Sequence, residues 1–378
     1  MAPGAARSVG VARVVVIMAG GGGTRLWPAS TPTRPKQLLQ LSERPPSTLL
    51  AAAVERARRL VPLERIFVVT NIALVPAVEA AVPDLPPANV IPEPRPRSTA
   101  PCVALALLHV RQRLRDRGCT EEQVAKATLT VLPADHHIGD LDRFTALLEL
   151  ACEQAEEMGG IVTLGVEPRE ASTAYGYIER GPEPLARRGA AFVYPALRFV
   201  EKPDAVRAQI FVETGHFLWN AGIFVMPLGR VAEELERHAR PMWRALAPVA
   251  AALLAHRDPW PAAVTAYDAI TAEAIDIAVM EKQRDLCVIP MRLPWTDLGS
   301  WSAMHDALPK DSRDNVVVAP ATAGVQLIDS QGVLVWSEGL EVAVLGMRDV
   351  AVVVSGGRVL VCPLDRAEEV RRLGERRS

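Results

Sequence analysis

Short runs of Val, Ile and Leu recur along the chain, separated by stretches in which apolar residues return every three or four positions. The runs lie at 14–18, 66–70, 128–132, 161–166, 192–200, 222–226 and 286–290. Each has the length of a buried strand and most end at Gly, Pro or Asp. Between them, 48–60, 100–115 and 142–158 carry the spacing of helices with one apolar face. Residues 228–285 read as further helices, broken near Asp258 to Pro261. Strands alternating with helices predict an α/β domain: a Rossmann-like, mostly parallel sheet with helices on both faces. In such a sheet, ligands sit at the carboxyl ends of the strands.

After about residue 310 the pattern changes. The segment 315–364 is a series of short Val-rich strands with Gly turns and little helix. It predicts a separate β-rich unit closed by a short polar helix, with domains at 1–308 and 309–378. No period of the kind a long solenoid shows is visible there.

Composition narrows the classes. The chain has 378 residues and is 49% hydrophobic, enough for two domains with real cores. A formal net charge of −2 lacks the basic excess of a nucleic-acid or membrane-surface binder. Five scattered Cys without a CxxC imply no zinc site and no disulfide framework, and fit a reducing cytoplasm. The run Val14 to Met18 is shorter than the apolar core of a secretion signal, so it reads as a strand. No run approaches the ~18 residues of a membrane span. Only five of the 42 basic residues are Lys, so a Lys within a short motif marks a place where a compact charge is needed.

The first run leads into Ala19-Gly20-Gly21-Gly22-Gly23-Thr24-Arg25. Glycines without Cβ let a backbone approach an anionic ligand, and their N–H groups can cradle its oxygens. Arg25 adds a planar fork for phosphate and Lys36 a mobile point charge. No Gly-Lys-Ser/Thr closes a Walker loop, and Arg25 stands where a GxGxxG motif needs its third Gly. From the glycines alone, a phosphate loop and a plain turn after a buried strand both remain open.

The full stretch "GGGGTRLWP" followed by "RPKQLL" resembles the signature of the sugar-phosphate nucleotidylyltransferases. "IPEPRPRSTAP" (91–101) resembles the guanine-recognising segment of mannose-1-phosphate guanylyltransferases, and "LPADHHI" (132–138) their metal-carboxylate loop. "YGYIE", "FVEKP", "FLWNAGIF", "IDIAVMEK" and "WTDLGSW" follow in family order, so the likeness spans roughly 13–305. It implies a nucleotidyltransferase fold, a C-terminal short left-handed β-helix, and no room for the isomerase domain of bifunctional relatives. The implied reaction is attack by a sugar 1-phosphate on the α-phosphorus of GTP, releasing pyrophosphate. By resemblance Arg25 holds the pyrophosphate, and Lys36 and Lys202 neutralise the reacting phosphates. Asp135 and Asp297 hold Mg²⁺ or another divalent cation. The nucleotide then meets 19–25, Lys36, Glu93, Ser98, Thr99, Ala100, Pro101, Pro133 and Asp135; the sugar phosphate meets Tyr175, Gly176, Glu201, Lys202 and Asn220. A cytoplasmic homodimer is the family's expected state.

Each assignment has a plainer counterpart in the residues themselves. Asp135 can be the N-cap of the helix that follows, and Asp297 a turn residue. Glu201–Lys202 can be a surface ion pair, with Pro203 holding Lys202 extended. Asn220 can close a turn, Gly176 a bulge, and Trp27, Trp219, Trp295 and Trp301 read as walls and core. His136-His137 point apart and suggest no metal site. The chain departs from the family at Ser98 (usually Asn), Ala174 (usually Gly) and Ile277 (often Tyr). The competing readings are a thymidylyl- or uridylyltransferase, and a non-catalytic subunit on the same fold.

Overall fold

The computed structural model describes residues 11–21, 24–42 and 47–375. Strands β1 (Arg13–Met18), β2 (Ile66–Asn71), β3 (Val90–Glu93) and β4 (Thr128–Pro133) are mutually parallel, in the order β3-β2-β1-β4. The two-residue β5 (His137–Ile138) lies off this sheet. The sheet continues with β6 (Val162–Val166), β7 (Tyr177–Arg180), β8 (Ala186–Arg188), β9 (Ala191–Val200), β10 (Phe217–Pro227) and β11 (Cys287–Pro290). The order runs on from β4 as β10-β6-β11-β9-β7, with β8 on β9. The pairings make β9 and β10 the two strands running against the rest.

Along β1 the side chains alternate between two cores. Val14 and Val16 enter the one, with α-helix Thr99–Asp116 and the helices between 228 and 280. Val15 and Ile17 enter the other, with helices Leu49–Arg58 and Leu141–Met158. Burial on both faces explains why the strand reads as an unbroken apolar run. β3 and β7 did not announce themselves in the sequence. β3 carries Pro92 and survives because it is an edge strand, where a missing N–H is tolerated.

Strand β12 (Trp295–Thr296) pairs with β5, bringing two distant motifs side by side. Beyond the helix Trp301–Ala307 come β13 (Val316–Val318), β14 (Val325–Ile328), β15 (Leu334–Ser337), β16 (Val342–Leu345), β17 (Val350–Ser355) and β18 (Arg358–Pro363). β13, β15 and β17 stack in parallel, as do β14 and β16, and antiparallel β18 closes the stack. Val316 lies over Leu334 and Leu334 over Ala351, so the coil repeats every 17–18 residues or so. So few turns leave too little repetition to see in the sequence.

A third core joins this β-helix to the α/β domain. Leu26, Ala29, Leu39, Leu49, Leu298, Trp301 and Met304 pack against Val316, Leu334, Trp336, Ala351 and Val353. Among the described residues no helix is long and apolar enough to cross a membrane.

Candidate active site

The carboxyl ends of β1, β3 and β4 open into one cavity of about 400 Å³. Met18, Gly20 and Gly21 form one wall, with Glu93 at the end of β3 and Pro133 and Asp135 at the end of β4. Across from them stand Tyr175, Gly176, Glu201, Asn220, Asp276 and Asp297. Nearly every motif flagged in the sequence therefore meets at one place.

The glycine loop is fixed by side chains the sequence did not advertise. Buried Gln37 donates Nε2–H to the Ala19 carbonyl at 2.7 Å, and Thr70 Oγ1 donates to the same oxygen at 3.1 Å. The Ala19 N–H bonds Val69 O, extending the parallel ladder by one residue. A Cβ on Gly20 would stand 3.1 Å from Glu93 Oε2, so this glycine permits the loop's close approach to that carboxylate. Gly22, Gly23 and the Thr24 side chain lie outside the described residues. Arg25 is exposed at the rim; its Nη1 is 3.2 Å from where a Cβ on Gly299 would be, beside the Asp297 carboxylate.

Lys36 is not the mobile charge its sequence context suggests. It is 7% exposed, with Nζ 2.8 Å from Asp135 Oδ2 and donating to the Asp297 carbonyl at 2.5 Å. This one ammonium ties β4's end to the segment after β12. Burial opposes charge on Asp135, yet Lys36 holds its carboxyl below the usual carboxylate range. The helix after this loop is capped by Asp140, whose carboxylate accepts from Arg143 N, so Asp135 is no N-cap. Beneath the loop, buried Arg56 donates Nη2–H to the His136 carbonyl at 3.1 Å, and burial lowers its guanidinium to about 10.

His136 is neutral: burial pulls its pKa down to about 4, and Trp295 Nε1 donates to its Nδ1 at 3.2 Å. Nδ1 is thereby taken. Among the described residues no three His, Cys, Asp or Glu side chains gather as a metal-binding group. Asp135 and Asp297 both line the cavity on the Lys36 side, and a magnesium-like ion needs no more than two carboxylates, since water and phosphate oxygens complete its shell. Asp297 Oδ1 accepts from Tyr175 Oη at 2.9 Å, while a Cβ on Gly299 would crowd both Asp297 oxygens at 3.0 and 3.2 Å. Glycine at 299 keeps that carboxylate open. The donor set fits a hard divalent cation held by Asp135 and Asp297.

At the β3 end, Glu93 is 4% exposed and accepts from Tyr267 Oη at 2.9 Å. Burial pushes its carboxyl up to about 7, against the hydrogen bonds from Tyr267 and Cys102. The segment after it is zipped to a distant helical region: Arg97 Nε donates to the Tyr267 carbonyl and Thr99 Oγ1 accepts from Ile275 N, both at 2.9 Å. Ser98 lines the cavity with φ 68° and ψ −170°, outside αL and in a region that is strained for any residue but glycine. Ala100 and Pro101 are buried in the helix and do not line the cavity. The Ala100 N–H bonds Glu273 O, and the Pro101 carbonyl accepts from Tyr267.

At the other end, Gly176 is a close approach rather than a bulge: a Cβ there would stand 2.5 Å from Glu201 Oε2 and 3.3 Å from Asn220 Cβ. Asn220 Oδ1 accepts from Gly222 N at 2.9 Å, and its Nδ2 donates to Asp276 Oδ1 at 2.7 Å. Lys202 departs from expectation. Pro203 does not hold it extended: its φ is 45°, its side chain is 61% exposed, and its Nζ donates to Glu201 Oε1 at 2.7 Å. The ammonium stands behind the sugar-end carboxylate, outside the cavity lining. Tyr175 packs on Trp219 and Trp295, and Trp301 is wholly buried, so these tryptophans are wall and core. Asp276, Tyr267, Gln37 and Arg56 are the residues sequence reasoning missed.

Residues 14–314 match the family model described as "Nucleotidyl transferase", and 324–376 match "MannoseP isomerase/GMP-like beta-helix domain". The chain is 33% identical over 374 residues to the "Alginate biosynthesis protein AlgA" of Pseudomonas aeruginosa, covering 95% of this chain and 71% of that one. It is 32% identical over 366 residues to "Mannose-1-phosphate guanylyltransferase 2" of Escherichia coli O157:H7, covering 96% and 73%. A solved structure named "mannose-1-phosphate geranyltransferase" from Thermus thermophilus superposes with a TM-score of 0.79 at 34% identity, covering 96% of this chain and 98% of that one. With the family model spanning most of its length and the cavity at its expected strand ends, the chain belongs to the nucleotidyl transferase family.

Proposed function

We propose that the protein transfers GMP from GTP to α-D-mannose 1-phosphate, giving GDP-mannose and pyrophosphate. The observation that carries this is the convergence in one cavity of a buried carboxylate at one end, the Lys36–Asp135–Asp297 junction in the middle, and the Gly176–Glu201–Asn220 wall at the other. The relatives named as guanylyltransferases agree with it. An isoprenyl substrate, as in the Thermus protein's printed name, would need an apolar trough, and these walls carry five carboxylates: Glu93, Asp135, Glu201, Asp276 and Asp297.

A phosphate oxygen of the sugar 1-phosphate attacks the α-phosphorus, and the bond to the β-phosphate bridging oxygen breaks. The electron pair leaves with pyrophosphate. The nucleophile arrives already deprotonated, so no side chain need act as base or form a covalent intermediate. Catalysis is positioning plus charge neutralisation. Gly20 and Gly21 bring backbone against the triphosphate, and Arg25 at the rim clamps the part that leaves. Lys36 keeps Asp135 ionised and fixed against the Asp297 segment. Asp135 and Asp297 would hold a divalent cation such as Mg²⁺, which would supply positive charge to offset that of the phosphates. Glu93 accepts the N1–H and amine of guanine, a donor pair that adenine lacks.

The test is a pyrophosphate-release assay crossing GTP, ATP, UTP and dTTP with mannose- and glucose-1-phosphate, with and without Mg²⁺. GTP with mannose 1-phosphate is expected to be the best pair and to require the metal. No turnover with that pair overturns the proposal, and a preference for dTTP or UTP moves it to the thymidylyl- or uridylyltransferases. We also assign the protein to a reducing cytoplasm, in keeping with five free cysteines. A homodimer is the expected assembly, checked by light scattering.

A further inference from the structure

Two of the four polar groups at the sugar end are already committed within the protein. Asn220 gives its oxygen to the Gly222 N–H and one amide hydrogen to Asp276, so one N–H remains to it. Lys202 is turned onto Glu201 Oε1 from the solvent side. The acceptors left on the cavity wall are Glu201 Oε2, beside the bare Cα of Gly176, and the Asp276 carboxylate. Apart from Asn220, no side chain donates to Asp276 among the described residues. Its neighbours in charge are Glu201, a like charge, and Lys202. The carboxylate takes one Asn220 N–H and its own backbone N–H, two of its roughly four acceptor sites, so it keeps acceptor capacity toward the cavity.

Resting on the proposed sugar-phosphate chemistry, we infer that Asp276 is a specificity-determining residue. Its carboxylate accepts a hydrogen bond from one ring hydroxyl of the hexose 1-phosphate, forming with Glu201 a two-carboxylate acceptor wall. Three features support this. The hydroxyl-rich face of a hexose presents several donors, and this wall presents acceptors where Asn220 alone would present a donor. Asp276 follows Ile275, whose N–H is held by Thr99 at 2.9 Å, so its position is fixed to the nucleotide side of the same cavity. Burial and the nearby Glu201 push its carboxyl up to about 6, so it is ionised at neutral pH while still lacking a full set of donors.

The experiment is an enzyme–substrate double-mutant cycle. Wild type and Asp276→Asn are assayed with mannose 1-phosphate and its 2-, 3-, 4- and 6-deoxy analogues at saturating GTP. For the wild type, one deoxy analogue should lose roughly tenfold to hundredfold in kcat/KM relative to mannose 1-phosphate. For Asp276→Asn, the KM for mannose 1-phosphate should rise by a similar factor. That same analogue should lose little more, and the KM for GTP should stay unchanged. A uniform loss across all analogues overturns the inference and reduces Asp276 to a prop for Asn220. An unchanged KM for mannose 1-phosphate also overturns it. If Asp276→Asn does not fold, as judged by circular dichroism, Asp276→Ser is put through the same cycle with the same criteria. Wild-type failure to bind mannose 1-phosphate in calorimetry is a separate result, which sinks the substrate assignment itself.

Discussion

Protonation of Glu93 should switch nucleotide affinity within the physiological pH range. Its carboxyl titrates at about 7 because burial disfavours its charge more than Tyr267 and Cys102 favour it. Guanine needs the ionised form, since a protonated carboxyl would set an O–H against the base's own donors. With a midpoint of about 7, about one-tenth is ionised at pH 6 and about nine-tenths at pH 8. GTP affinity should therefore rise about tenfold between those limits. Folding stability of the free protein should move the opposite way. The folded-state pKa lies above the ordinary 4.5, so the stabilising contribution is complete below that value. It is lost as pH rises through about 7 and amounts to about 3 kcal/mol. The assay is calorimetric GTP binding and chemical unfolding from pH 5 to 8.5, for wild type and Glu93→Gln. The variant carries the nucleotide's own titration but not the switch, so the difference between the curves is the signal. The introduced glutamine sets an amide N–H against the guanine amine, so the variant's affinity at pH 8 should fall roughly tenfold to hundredfold. Parallel affinity curves for the two proteins, or a wild-type stability that does not fall relative to the variant, would refute the reasoning.

Other outcomes follow from the same geometry. Asp297→Ala should abolish pyrophosphate release while circular dichroism stays native; near-normal turnover would remove Asp297 from the cation site. Gly176→Ala places a methyl 2.5 Å from Glu201 Oε2. It should raise the KM for the sugar phosphate about tenfold or more, with GTP binding by calorimetry intact. Lys36→Met leaves Asp135 without its ammonium and unties the two carboxylate loops. A drop in kcat of roughly 10² or more is expected, and a change confined to KM would contradict the tie. Trp301→Ala empties a fully buried site in the third core and should destabilise by about 3–5 kcal/mol in urea unfolding.

Much of this was legible because the chemistry is written in short local motifs. Strand β1, its glycines, Asp135, Gly176 and Asp297 can each be read within a few residues of sequence. What escaped depends on contacts between distant segments. Tyr267 reaches Glu93 across 174 positions, and nothing in "AVTAYDAI" separates it from a core aromatic. Asp276 sits in a recognised motif, but only the fold shows its carboxylate meeting Asn220. Arg56 looks like one more Arg on a helix rich in them, yet it is buried and holds the His136 carbonyl. Gln37 could have been found, since it is a polar residue beside Lys36 in an otherwise apolar "QLL". The motifs suggest a mobile charge at Lys36 and a phosphate ligand at Lys202, while the plainer reading of Glu201–Lys202 as a surface ion pair matches the contact seen. The structure fixes one to Asp135 and turns the other outward onto Glu201.

The third core bears on how far the molecule can be divided. The stretch from Leu26 through Leu39, which carries Lys36 and follows Arg25, packs on the β-helix, and Arg34 bonds Glu338 and Ser355 there. The small β unit is therefore a backing plate for the loop that carries Lys36. Cutting the chain after the helix Trp301–Ala307 would not yield a smaller enzyme. It would expose Leu26, Leu39, Trp301 and Met304 to water and leave Lys36 hanging from an unsupported strap.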